Sequence, residues 1–470
     1  YKLKICNFKL NMKRLKFIVI FLILIGCNPN KKKITGIFVG GQIINPSSRD
    51  VTLYQGSRVI DMLDLNDNFK FQRKYDSLKN GIYKLEHLPE YQTVLLEEAD
   101  SLWIRINATA FNESIVFSGI GATKNNFLID LYLKQEEEVD FLSTKYSSNQ
   151  VIFKKIIDSL VFEKKTSWIK MDSINNLSPI AQKVTQAAYI YPYASIRERY
   201  ALLRSSKWTE VGDSLFFSYR KFLNYGDNDL AFFDPYVNYI LNYISQKALK
   251  LGEPYFKAKE TTSFNIRRLE ILDKKISGKL LRNNLARAIA FEEMLKFKNQ
   301  TEHDLFIQYY ATVNSSKDYL REVIALHQDI NKMNAGKPLP KVLLQNSERK
   351  TVNSASLAYG KPTVIYFWSQ TQMNQYRNTL NRLNKLKNTY PNIRFIGICI
   401  QPFNALTDQV QKMMGLDSKD QFALTNFEKA SKVWVLTLLN KGIVLNKKGF
   451  IVEGFGNFFD IEFEKILKNL

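Results

Sequence analysis

Residues 363–377 read Thr-Val-Ile-Tyr-Phe-Trp-Ser-Gln-Thr-Gln-Met-Asn-Gln-Tyr-Arg, and this stretch decides the fold of the last third of the chain. Its first six residues are an almost unbroken β-branched and aromatic run, the pattern of a strand covered on both faces. A short polar loop follows. Leu380, Leu383 and Leu386 then recur at helical spacing. The stretch therefore predicts a buried strand feeding a helix over Asn374–Thr389. Upstream, Val342–Leu344 and Thr351-Val352 predict two short strands, and Asn334–Pro340 reads as a linker by composition. Downstream, the pattern predicts strand Ile393–Ile400 and helix Ala405–Met414. A hairpin then joins Gly442–Leu445 to Phe450–Val452 through Asn446-Lys447-Lys448-Gly449, and helix Ile461–Leu470 closes the chain.

The order is βαβα…ββα. Together with Gly336 and Pro340, Gly360-Lys361-Pro362, Phe367-Trp368 and Leu445–Gly449, it resembles the TlpA/ResA-like thioredoxin family over the last third of the chain. The resemblance implies a C-terminal thioredoxin-like α/β domain. It also implies a thiol-disulfide site, with a Cys-x-x-Cys at the helix N-terminus facing a cis-proline. Aligned on Phe367-Trp368, those cysteines fall at Gln372 and Gln375. Counted back from Leu445–Gly449, the proline falls near Asn440, and no proline follows Pro402. Glutamine cannot form a thiolate or a disulfide, so the exchange chemistry has no reacting atom at these positions. A non-proline cis bond costs about 3 kcal/mol, so a trans loop is expected near Asn440.

Polar groups remain at Ser369, Gln370, Thr371 and Asn374, and with Trp368 and Tyr376 they make a possible binding loop. On a helix N-terminus such a loop suits a peptide backbone or a small anion. A solvated loop that has only kept its scaffold is the alternative. Trp368 is expected in the core and Tyr376 at the rim. Cys399 lies in Phe395–Ile400, an apolar strand, and reads as a structural cysteine.

The chain carries 67 Lys and Arg against 45 Asp and Glu, a formal charge of +22. The cations are spread over every segment without an aromatic-basic motif. Attraction to an anionic membrane surface, or simple solubility, explains them better than nucleic-acid binding, and no nucleic-acid partner is expected. With Cys6, Cys27, Cys399 and three dispersed histidines, His87, His303 and His327, no metal site and no cofactor are expected.

At the N-terminus, residues 1–11 read as an upstream extension. A basic n-region, Met12–Lys16, precedes the apolar run Phe17–Ile25, too short to span a bilayer. Leu24-Ile25-Gly26-Cys27 follows. The series resembles a bacterial lipoprotein signal with Cys27 as the lipidated residue. It implies a lipid-anchored protein of the bacterial cell envelope, with 1–27 as extension and signal peptide and 28–33 as a polar tether; the tether has none of the acidic residues that resemble a surface-export signal, so the periplasmic face of the outer membrane is expected.

Residues 34–122 alternate at Val51–Tyr54, Phe69–Phe71, Ile82–Leu85 and Leu102–Ile106. Turn residues at Asn45–Ser48, Asn66–Asn68 and Asn80-Gly81 separate these runs. They predict a β-sandwich-like domain, and the order resembles the N-terminal β-domain found ahead of thioredoxin-like domains in envelope lipoproteins. Residues 123–333 switch to helical periodicity, with Ser178-Pro179 as an N-cap and N1 pair. The aromatic run Tyr189–Tyr193 reads as helix-helix core. The expected architecture is thus a multidomain α+β chain: a β-sandwich-like part, a helical middle and a thioredoxin-like domain over 334–470.

Three functions are open on this reading. The first is a redox-inactive thioredoxin-like module that binds or scaffolds an envelope protein or peptide. The second is a thiol-disulfide oxidoreductase of the TlpA-like family. The third is a structural lipoprotein whose partner surface lies on the middle helices.

Overall fold

A computed structural model describes residues 35–207, 213–296, 300–357, 360–413 and 417–470. The expected signal segment, the expected lipidation position Cys27 and the expected tether lie outside the described residues, as does Met414.

Eight strands come first: β1 (Ile37–Ile44), β2 (Asp50–Gln55), β3 (Arg58–Asp64), β4 (Lys70–Tyr75), β5 (Gly81–His87), β6 (Glu90–Leu96), β7 (Ser101–Asn107) and β8 (Val116–Ile120). They form two four-stranded sheets, ordered β4-β1-β7-β8 and β3-β2-β5-β6. Alternation explains the layering, because each strand turns one set of side chains inward. Ile37, Val39 and Ile43 of β1 share one core with Leu53 of β2, Leu85 of β5 and Ile104 of β7. Turn chemistry sets one connection clearly. The Asn66 side chain accepts from Asn68 N and Lys70 N at 3.0 Å each, which folds the β3–β4 reversal.

The middle is helical: α1 (Ala122–Lys145), α2 (Gln150–Asn175), α3 (Pro179–Leu203), α4 (Asp234–Ala248), α5 (Thr262–Lys275), α6 (Lys279–Met294), α7 (Gln300–Val313) and α8 (Lys317–Lys332). Ser178 caps α3, its Oγ accepting from Ala181 N at 3.1 Å, and Pro179 opens the helix. Tyr191 lies in the core against Tyr236 and Tyr239 of α4, with ring centroids 4.7 and 5.4 Å apart. Among the described residues no helix is long and apolar enough to cross a membrane.

The last third is a seven-stranded sheet ordered β10-β9-β13-β12-β11-β14-β15. Its strands are β9 (Leu343–Asn346), β10 (Thr351–Asn353), β11 (Thr363–Trp368), β12 (Arg394–Cys399), β13 (Gln421–Leu424), β14 (Lys441–Leu445) and β15 (Ile451–Asn457). Helices α9 (Met373–Thr389), α10 (Ala405–Met413), α11 (Phe427–Val433) and α12 (Ile461–Leu467) complete it. β11 pairs parallel with β12 and antiparallel with β14. This strand order is thioredoxin-like. β13 and α11 are additions that the sequence reading did not anticipate, since Gln421–Leu424 is only four residues long. All six residues of β11 are buried.

The linker reading of Asn334–Pro340 is corrected. Gly336 N donates to Ile451 O and Ile451 N donates to Lys337 O, each at 2.8 Å. Trp434 Nε1 donates to Pro340 O at 2.9 Å, and Leu339 is buried. Proline and glycine made the stretch look loose, yet Gly336 and Lys337 pair with the edge strand β15 and the Pro340 carbonyl is held by Trp434. The core is continuous across this junction: Ile330 and Met333 of the helical part join Ile365 and Phe367 of β11 in one cluster.

Candidate functional site

The site builds on the end of β11 and the start of α9. Gln372 occupies the N-cap position of α9 and makes no side-chain capping bond. The free N–H groups of the first turn are therefore left to solvent or a ligand. Gln372 reaches outward instead: its Nε2 donates to Glu90 Oε1 of β6 at 2.9 Å. Gln375 reaches one turn forward along the helix and donates to Thr379 Oγ1 at 3.0 Å, while its Oε1, buried, has no partner. Thr371, Gln372, Asn374 and Gln375 form one wall of a cavity of about 400 Å³. The segment Ala108–Glu113, which links β7 to β8, and Glu90 form the other wall.

Two positions in the loop differ from expectation. Tyr376 is not a rim residue. It is fully buried and stacks on Trp368 with ring centroids 4.4 Å apart and planes 19° apart. Tyr376, Leu380 and Leu383 are spaced four and three residues apart, so Tyr376 lies on the inward stripe of α9. Ser369 and Gln370 are also fully buried and present no surface to a ligand. The side chain of Gln401 draws them in. Its Oε1 accepts from Gln370 N at 3.2 Å, and its Nε2 donates to Ser369 Oγ at 2.8 Å. Both terminal atoms of the Gln370 side chain lack partners. Of the predicted binding loop, only Thr371 and Asn374 are accessible along with Gln372 and Gln375.

Asn440 is half-buried, and its carbonyl accepts from Phe458 N at 2.7 Å. The peptide bonds around it are trans; among the described residues the one cis bond is Leu88–Pro89. The next residue, Lys441, was missed by the sequence reading. It opens the otherwise apolar strand Lys-Gly-Ile-Val-Leu, which was its only signal. Its Nζ donates to Trp434 O at 2.7 Å and Val435 O at 3.1 Å, and lies 4.3 Å from the centre of the Phe455 ring. Burial lowers its pKa to about 7, against a smaller upward pull from Glu453. Val435, the acceptor it holds, adopts φ +48°, a region that costs a β-branched residue about 1 kcal/mol or more.

Cys399 is fully buried in β12, and burial pushes its thiol up to about 12. At neutral pH it is therefore a thiol and not a nucleophile. The histidines are not all dispersed in space: the His303 and His327 rings pack edge to face with centroids 5.1 Å apart. His87 stands elsewhere and accepts from Ser47 N at 3.0 Å. Among the described residues no group of three or more His, Cys, Asp and Glu is placed to hold a metal ion.

No protein-family model matches the chain, and no curated protein matches it. Among solved structures, the chain is similar to a protein named as a thiol-disulfide oxidoreductase from Bacteroides vulgatus. The identity is 15%, with 29% of this chain and 97% of that chain covered and a TM-score of 0.25. The C-terminal domain of a protein so named from Bacteroides thetaiotaomicron is 21% identical over 30% of this chain and 99% of its own, at a TM-score of 0.25. A protein named as the thiol:disulfide interchange protein DsbE from Chlorobium tepidum is 11% identical over 29% and 96%, at 0.23. TM-scores this low assign no family and no activity. The thioredoxin-like reading of the last third rests on its own strand order.

Proposed function

We propose that this chain is a lipid-anchored protein of the bacterial cell envelope, held by Cys27 at the periplasmic face of the outer membrane. In this reading its thioredoxin-like module is redox-inactive and binds or scaffolds an envelope protein or peptide. The observation that carries it is at Gln372. Where the fold would place an attacking sulfur, there is an amide hydrogen-bonded to Glu90, a residue 282 positions earlier in the chain. A group committed to a carboxylate in a neighbouring sheet is a wall of a cleft and has no redox couple. Cys399, with its raised pKa and full burial, does not replace it.

The test is photo-cross-linking in cells, with the reactive residue placed at Asn374 and, as a control on an exposed turn, at Lys448. Cross-links at 374 and none at 448 support the module as the binding face. Cross-links confined to α1–α8 favour a partner surface on the helices and contradict the proposal. For the anchor, Cys27→Ser is expected to move the protein from the membrane fraction to the soluble one, and no change in fractionation contradicts it.

A further inference from the structure

The cavity at the start of α9 does not end there. Glu90 and Asn112 also line a second lobe of about 560 Å³, bounded by β6, α1, α3 and the N-terminus of α4. The two lobes make one cleft. Its charge is the reverse of the chain's. Although Lys and Arg outnumber Asp and Glu by 67 to 45, neither lobe is lined by a single Lys or Arg. Three carboxylates line it instead: Glu90, Glu113 and Asp234. Asp234 is neutralised by Lys84 at 3.0 Å. Glu90 and Glu113 are in no ion pair among the described residues.

We infer that this cleft binds an extended peptide segment carrying lysine or arginine. The inference rests on the binding-module reading above and gives that module a ligand class. Buried Leu128, Leu131 and Phe233 supply an apolar floor in the second lobe. Tyr132 stands at its edge with 42% of its surface exposed. That combination suits a long cationic side chain: the alkyl stem lies on the floor, the head meets a ring face, and a carboxylate ends the path. The Glu90 carboxylate is felt there, since it is among the causes that raise the Tyr132 pKa after burial and Glu136. In the first lobe, Asn112, Gln372 and Asn374 offer amides to a peptide backbone, and the uncapped first turn of α9 offers N–H groups to its carbonyls. A neutral oligosaccharide would leave both carboxylates uncompensated, and a metal ion would leave the apolar floor unused.

The experiment measures fluorescence anisotropy of the chain from residue 28 to 470 with three labelled probes. They are a pool of nonapeptides with two fixed lysines, the same pool with glutamates in their place, and a neutral N-acetylglucosamine oligomer. The lysine pool is expected to bind, to weaken with added salt, and to weaken roughly tenfold in Glu90→Gln/Glu113→Gln. Both substitutions keep side-chain shape, and the amide that replaces the Glu90 carboxylate keeps an acceptor for Gln372. Circular dichroism and the melting temperature report whether the fold is intact. Lysine and glutamate pools that bind alike, binding unchanged in the double variant, or binding of the oligomer alone each overturn the inference. The failure is distinguishable from failure of the binding-module reading: cross-links at Asn374 without cationic-peptide binding leave the module and remove only this ligand class.

Discussion

Replacing Lys441 by methionine should change stability in a way that depends on pH, with a sign fixed by the lysine's surroundings. In the unfolded chain this amine has its ordinary value of 10.5, and in the fold it is lowered to about 7. The fold therefore disfavours the charged form by roughly 4–5 kcal/mol, an order-of-magnitude figure. The cost is full below pH 7, where both states hold the proton. It declines as pH rises from about 7 towards 10.5, where the unfolded state still holds the proton and the folded state does not, and it vanishes above 10.5. Between pH 6 and pH 9 it falls by roughly 2–3 kcal/mol. Methionine carries no such cost, but it leaves the carbonyls of Trp434 and Val435 without their donor, at about 1–3 kcal/mol. Lys441→Met is thus expected to be stabilising by roughly 1–4 kcal/mol at pH 6 and close to neutral at pH 9, where only about 2 kcal/mol of the cost remains to be relieved. Urea unfolding of both proteins, followed by tryptophan fluorescence at the two pH values, reads the difference. A stability difference that stays constant from pH 6 to pH 9 would refute the reasoning, since it would mean that the amine titrates alike in both states.

Other expectations concern single positions. Tyr376→Phe removes a buried hydroxyl that has no partner and should be neutral or stabilising by up to about 1 kcal/mol, read as an unchanged or higher melting temperature; a clear loss would show that the hydroxyl is bonded. Ser178→Ala removes the cap of α3 and should cost about 1 kcal/mol or more in chemical denaturation, because the same hydroxyl also donates to Glu97. Cys399 should resist a thiol reagent at pH 8 in the folded protein and react at once in denaturant; fast reaction of the folded protein would contradict its burial and its raised pKa.

The sequence was most informative where one physical constraint dominated. Thr363–Trp368 had to be a doubly covered strand because an apolar, β-branched run has nowhere else to go, and β11 is buried at every residue. The loop after it was less legible. Ser369 and Gln370 are polar, and polarity alone places them in solvent; the side chain that pulls them inside, Gln401, is 31 or more residues away. Tyr376 was misplaced because it was grouped with the polar loop although it lies inside the helix predicted over Asn374–Thr389, on the stripe it shares with Leu380 and Leu383. The far wall of the cleft was not legible at all. Glu90 opens an ordinary strand and Glu113 sits in a short connection, and nothing in their neighbourhoods marks them. Their meeting with Gln372 and Asn374 comes from the packing of two sheets far apart in sequence. Lys441 had a weak signal, a cation at the head of an apolar strand, which could have been followed.

The claim on which the rest depends is that the thioredoxin-like module does no thiol-disulfide chemistry, and disulfide reduction by the purified chain from residue 28 to 470 tests it most directly. With dithiothreitol as the electron source and insulin as the disulfide, the reduction rate is expected to match that of dithiothreitol alone and to be the same in Cys399→Ser. Catalysed reduction by the parent chain that disappears in Cys399→Ser would contradict it, and would make the one buried thiol of the described residues the site of a redox enzyme.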